Sequence, residues 1–249
     1  MTRFFSRREW LGAASVAGGA AVLAACGTKS NAPPSTATVT VPASPAITTE
    51  AARPTISEPD AALKQLTDGN RRFVDAQMAH PAQSPEHRLL VSRGQQPFAT
   101  ILTCSDSRLP PEVIFDQGLG DLFVVRVAGN ITDDTLLGSV EYAVGHLNTP
   151  LVVVIGHQRC GAVEATLESI QHAAMPHGDV AALVKAITPA VPVAEKRSGD
   201  LLENTIRVNA EMSRDTIAKS SELAEPLKAG RLKVLAGYYS LDDGTVSLL

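Results

Sequence analysis

Leu151-Val152-Val153-Val154-Ile155-Gly156-His157-Gln158-Arg159-Cys160-Gly161 carries an unbroken aliphatic run into a glycine, a histidine and a cysteine. A short β-branched run of this kind reads as a strand covered on both faces. Ala162 to Gln171 then shows a helical pattern. In open α/β sheets, ligands gather at the carboxyl ends of strands, where such turns lie. The residues at this turn, His157 and Cys160, are both metal-binding types. Cys160 falls at the start of the helix, and a helix N-terminus favours thiolate over thiol by about 0.3–1 kcal/mol.

Working outward, three more aliphatic runs read as strands: Phe98 to Thr103, Leu122 to Val127 and Leu232 to Ala236. Helical patterns alternate with them. One opens at Pro110-Pro111-Glu112, and others span Leu136–His146 and about Leu201–Ser220. A further helix opens near Ser57, expected as its cap, with Pro59 and Asp60 in its first turn. Leu63, Leu66, Asn70, Phe73 and Val74 form its inward face, and Gly69 is its weak point. A Pro-rich connection over 81–97 precedes the first strand. Asp242-Asp243-Gly244 is a turn signal, so Thr245–Leu249 is expected to return as an edge strand. The fold class is α/β, with a mostly parallel four-to-five-stranded sheet flanked by helices.

A second motif, Cys104-Ser105-Asp106-Ser107-Arg108, follows the first strand directly. It lies 53 residues before His157, yet both motifs sit at strand carboxyl ends and can converge. Two thiolates and one imidazole suit a catalytic zinc, because three protein ligands leave the fourth position open. Asp106 is placed to handle a proton there, with Arg108 beside it to hold the carboxylate. A Cys104–Cys160 disulfide is the alternative for an exported chain. His80, His87, His146, His172 and His177 have no ligand-spaced partners and read as solvated or loosely packed.

The 249-residue chain carries a formal charge of −4, or −6 without residues 1–25. It has no basic stripe, which argues against a nucleic-acid partner. Residues 1–25 read as a signal: Ser6-Arg7-Arg8-Glu9-Trp10-Leu11 resembles a twin-arginine export motif, and Leu23-Ala24-Ala25-Cys26 a lipobox. Cys26 is then the lipidation site. Residues 26–57, rich in Pro, Ser and Thr, read as a disordered tether. Residues 58–249 form the domain. The expected location is extracytoplasmic, held to a bacterial membrane only by lipid.

The joint pattern of Cys104-Ser-Asp106-Ser-Arg108, Gly156-His157-x-x-Cys160-Gly161 and Phe123-Val-Val-Arg126-Val-Ala-Gly129-Asn130 resembles the β-class carbonic anhydrases, across about residues 58–249. The resemblance implies Zn²⁺ on Cys104, His157 and Cys160, one ion per chain, and a catalytic Asp106–Arg108 dyad. It implies hydration of carbon dioxide to bicarbonate, and a homodimer or higher even oligomer with pocket residues shared across the interface. Gln95, Phe123 and Tyr142 match substrate-pocket positions of the plant-like, open-site subgroup, and the Gly129 amide is expected to orient bicarbonate. Ala128 stands where that subgroup carries a valine. Asp106 becomes a fourth metal ligand only in a closed state. Ile101 stands where the bicarbonate-inhibited subgroup has tryptophan, so no such switch is expected. A related carbon disulfide or carbonyl sulfide hydrolase and a non-catalytic zinc-binding lipoprotein remain the alternatives.

Overall fold

The computed structural model describes residues 55–249. The expected signal, Cys26 and most of the tether lie outside the described residues. Five strands form one sheet in the order β2-β1-β3-β4-β5: β1 Ala99–Thr103, β2 Leu122–Arg126, β3 Leu151–His157, β4 Lys233–Tyr239 and β5 Val246–Leu248. The first four run parallel, and β5 turns back antiparallel on β4. The expected fold class and the returning edge strand are both observed.

The helices are α1 Pro59–Val74, α2 Pro85–Val91, α3 Pro111–Ile114, α4 Asp134–Leu147, α5 Gly161–Gln171, α6 Val180–Ile187, α7 Val191–Ala194, α8 Leu201–Ala218 and α9 Ala224–Lys228. Among the described residues, no helix is long and apolar enough to cross a membrane. Three expectations need correction. Glu58, not Ser57, is the N-cap of α1, and its side chain makes no capping bond. The connection over 81–97 contains α2, capped by Ser84, whose Oγ accepts from His87 N at 3.0 Å. Leu89 and Leu90 of α2 are exposed, so the segment carries no inward apolar stripe to betray it. Third, α6 and α7 occupy a region where no helix was expected.

Alternate β3 residues feed opposite faces, as the two-residue period of a strand requires. Val152 and Val154 pack with Val140 and Val144 of α4 and with Ala210 and Ile217 of α8. Leu151, Val153 and Ile155 pack with Ala62 and Leu66 of α1 and with Ile114. All of β1 and β3 is buried, which explains the continuous rather than alternating apolar pattern. Gly69, the apparent flaw in α1, is where the helix meets the chain after α3. A Cβ there would lie 1.8 Å from the Phe115 carbonyl oxygen, so only glycine permits the approach. The next residue, Asn70, then donates to the Ile114 and Gly244 carbonyls and accepts from Val246 N, tying α1 to the last strand.

Candidate metal centre

Parallel pairing of β1 with β3 brings their carboxyl ends side by side, with Thr103 opposite Ile155. Cys104 leaves the end of β1 and His157 ends β3, while Cys160 is the N-cap of α5. Their ligand atoms all lie within 4.8 Å of one another, and all three residues are buried. Tetrahedral zinc with two sulfurs and one nitrogen needs those atoms about 3.3–3.8 Å apart, a spacing compatible with this arrangement. Both cysteines are free thiols rather than a disulfide.

The imidazole is oriented for a metal. His157 Nδ1 lies 3.0 Å from the Gln158 carbonyl. A carbonyl only accepts, so Nδ1 carries the proton and Nε2 the lone pair. Nε2 is buried with no hydrogen-bond partner, and leaving such an atom unpaired costs about 1–3 kcal/mol. A cation between the two sulfurs would use that lone pair. The donor set fits zinc.

The sulfurs share one charge. The Cys104 thiol is pulled below its ordinary value, chiefly by hydrogen bonding from Cys160, with the Gly129 amide assisting against burial. Cys160 is pushed the other way by the Cys104 thiolate and by burial, although the Val163 and Ala162 amides at the α5 N-terminus oppose this. Gly129 N lies 3.3 Å from Cys104 Sγ. That amide, expected to orient bicarbonate, is directed at the sulfur of Cys104. Gly129 sits at φ +75, where a Cβ would come within 2.7 Å of Ile187 Cδ1. Its turn is pinned from α8, where Asn209 Nδ2 donates to Gly129 O at 2.7 Å and Ser213 Oγ to Asn130 O at 3.0 Å.

Asp106 and Arg108 form a two-pronged pair. Asp106 Oδ1 accepts from Arg108 N and Nε, each at 2.9 Å, and Oδ2 accepts from Nη2 at 2.7 Å. The Arg108 guanidinium pulls the Asp106 carboxyl down to about 2, against its partial burial. Oδ2 lies 3.9 Å from His157 Nε2, so the carboxylate borders the metal position while Arg108 holds it. Arg126, the last residue of β2, braces the same loop. It donates to the Cys104 carbonyl through Nε (3.0 Å) and Nη2 (2.8 Å), and to the Asp106 carbonyl at 2.7 Å. Sequence reading placed Arg126 in a motif without a role.

Three expected pocket residues lie elsewhere in the chain. Gln95 precedes β1, at the opposite end of that strand from Cys104, and the strand between them spans about 16 Å. It lines a cavity of about 560 Å³ with Phe98, Leu90 and Leu119. Phe123 is paired with Thr100, near the start of β1, and its ring stands 6.1 Å from that of Tyr142. Tyr142 is 48% exposed, so it is not core packing. His146, read as solvated or loosely packed, is exposed and lies against Tyr142, with ring centroids 4.9 Å apart. His87 is buried, with Nε2 3.1 Å from the Leu119 carbonyl.

The family model described as "Carbonic anhydrase" matches residues 99–246, which include every residue of the cluster and the dyad. The chain belongs to the β-carbonic anhydrase family. A carbonic anhydrase of Mycolicibacterium smegmatis is 42% identical over 196 residues, covering 77% of this chain and 94% of that protein. Carbonic anhydrase 2 of Mycobacterium tuberculosis strain H37Rv is 43% identical, covering 77% and 93%. Members of the family are lyases, and this chain is an enzyme of that kind. Among solved structures, the Aspergillus fumigatus β-carbonic anhydrase CafA matches with a TM-score of 0.59 at 25% identity, covering 76% of this chain and 89% of that one. Tetrameric β-carbonic anhydrases of Sordaria macrospora give a TM-score of 0.60 at 22% identity, covering 76% and 97%, a likeness of fold.

Proposed function

We propose that this family member catalyses the zinc-dependent, reversible hydration of carbon dioxide to bicarbonate and a proton. The observation that carries the reading is the lone Nε2 of buried His157 converging with two cysteine sulfurs beside a carboxylate held by arginine. Cys104, His157 and Cys160 hold the metal, which when bound supplies a Lewis-acidic centre with an open coordination position for water. Asp106 stays ionised because Arg108 pairs with it. Its Oδ2 accepts a hydrogen bond from the attacking water and turns a lone pair toward carbon dioxide. Arg108 engages both carboxylate oxygens and would hold them away from a bound metal, an arrangement that supports the plant-like reading. The released proton leaves to solvent or buffer.

Gln95 precedes β1 and Phe123 stands toward the amino end of β2, away from the cluster at the carboxyl ends, and Tyr142 lies beside Phe123. They serve the site of a second copy in a homodimer or larger even oligomer. The measurement is stopped-flow hydration by the zinc-loaded protein across pH. The rate is expected to rise through the neutral range. Asp106, with its carboxyl at about 2, is already ionised there, so the rise does not come from the dyad. One zinc per chain with hydration no faster than buffer overturns the reading.

A separate proposal concerns location. Arg7-Arg8 and Leu23-Ala24-Ala25-Cys26 support twin-arginine export and lipidation at Cys26. The twin-arginine route carries folded proteins, so the thiols could be metal-bound before meeting an oxidising compartment. Replacing both arginines by lysine is expected to retain the protein inside the cell. Unchanged membrane recovery of a chain without acyl mass on Cys26 contradicts the proposal.

A further inference from the structure

The loop between His157 and Cys160 is clamped from outside by the turn between β4 and β5. Gln158 Oε1 accepts from Leu241 N at 3.0 Å and Asp242 N at 3.2 Å, while its Nε2 donates to Asp242 Oδ2 at 2.8 Å. Arg159 Nη2 donates to the other carboxylate oxygen, Asp242 Oδ1, at 2.7 Å. One carboxylate therefore grips two consecutive residues of the ligand loop. The loop needs gripping, because Arg159 sits at φ +54, a left-handed conformation costly to any residue with a Cβ.

The two gripped residues present carbonyls to two different parts of the site. The Gln158 carbonyl accepts a hydrogen bond from His157 Nδ1 and so fixes the ring that would offer Nε2 to the metal. The Arg159 carbonyl accepts, at 3.4 Å, from the same Arg108 Nη2 that binds Asp106. We infer that Asp242 is a positioning residue: through Gln158 it orients the imidazole ligand, and through Arg159 it supports the Arg108–Asp106 pair. This rests on the metal and dyad reading above. Asp242 itself touches neither metal ligand nor substrate. Asp243, its neighbour, bonds instead within the turn to Thr245 N and Oγ1, at 3.0 and 2.8 Å, which makes it a matched control.

The test compares Asp242→Ala, Asp242→Asn and Asp243→Ala in the zinc-loaded full chain, measuring zinc loss to a chelator, kcat and KM for hydration, and thermal midpoint. Asp242→Ala is expected to release zinc about tenfold faster and to lower kcat about tenfold, in line with the usual effect of partners that orient ligands. KM is expected to hold. Asp242→Asn keeps an acceptor and a similar shape, and should recover part of both losses. Asp243→Ala is expected to retain zinc as the native chain does, whatever its thermal midpoint. Native-like zinc retention and kcat in Asp242→Ala overturn the inference, as do equal effects from Asp242→Ala and Asp243→Ala. If the native chain fails to hydrate carbon dioxide, the zinc-release comparison still decides the clamp.

Discussion

Cys160→Ser is expected to leave a folded chain that no longer retains zinc and hydrates carbon dioxide at the buffer rate. The fold survives for a local reason. Cys160 is the N-cap of α5, and serine is among the favoured residues there. The swap is also nearly isosteric at a position 1% exposed. The metal does not survive. Structural zinc sites bind with about 10–16 kcal/mol, so removing one ligand of three forfeits roughly 3–5 kcal/mol, about 10²–10⁴ in affinity. The measurement is zinc per chain by elemental analysis after dialysis, alongside the thermal midpoint and the hydration rate. A variant with full zinc and native rate ends the proposed site. Acidification should act in the same direction on the native protein. Without metal the two sulfurs retain a proton, because the Cys104 thiolate pushes the Cys160 thiol up. Zinc must displace that proton, so its affinity falls as pH falls.

The parts of this fold that were legible in sequence are those decided by local chemistry. Leu151 to Ile155 is aliphatic at every position because both faces of β3 are covered, and that pattern alone announces a central parallel strand. The ligands were legible because Cys104, His157 and Cys160 sit directly at strand and helix ends, where topology forces convergence. Long-range closeness was not legible. Gly69 looked like a defect in a helix until Phe115, 46 positions away, was seen against it. Likewise Asp242 looked like ordinary turn chemistry until the turn met the ligand loop. Arg126 spends its donors on backbone carbonyls, and no side-chain spacing reports that. Sequence position alone did not say which copy's site Gln95 faces: it precedes Cys104 by nine residues, but β1 lies between them and puts the two at opposite ends of that strand.

Arg108→Ala is expected to separate metal binding from catalysis. Zinc should stay near one per chain, since Arg108 contacts none of the three ligand side chains. Hydration should fall by about 10² or more, the scale on which a misplaced catalytic group costs rate. The loss cannot come from protonation of Asp106. Freed from Arg108, its carboxyl rises only toward the usual value near 4, and it remains ionised at neutral pH. What changes is where it points. Asp106 Oδ2 is 3.9 Å from His157 Nε2 with Arg108 in place, so an unpaired carboxylate is within a side-chain rotation of the metal. It can then fill the fourth position and exclude water, closing the site. Arg108→Lys tests the same point with charge retained: an ammonium cannot supply the fork that engages both carboxylate oxygens, so recovery should be partial. Global stability should change little, because the Arg108 side chain is half exposed and screened. Cobalt substitution gives a readout independent of rate, since its visible bands respond when a carboxylate replaces solvent. An Arg108→Ala protein that keeps its zinc, its native cobalt spectrum and its native rate would leave the dyad without a role.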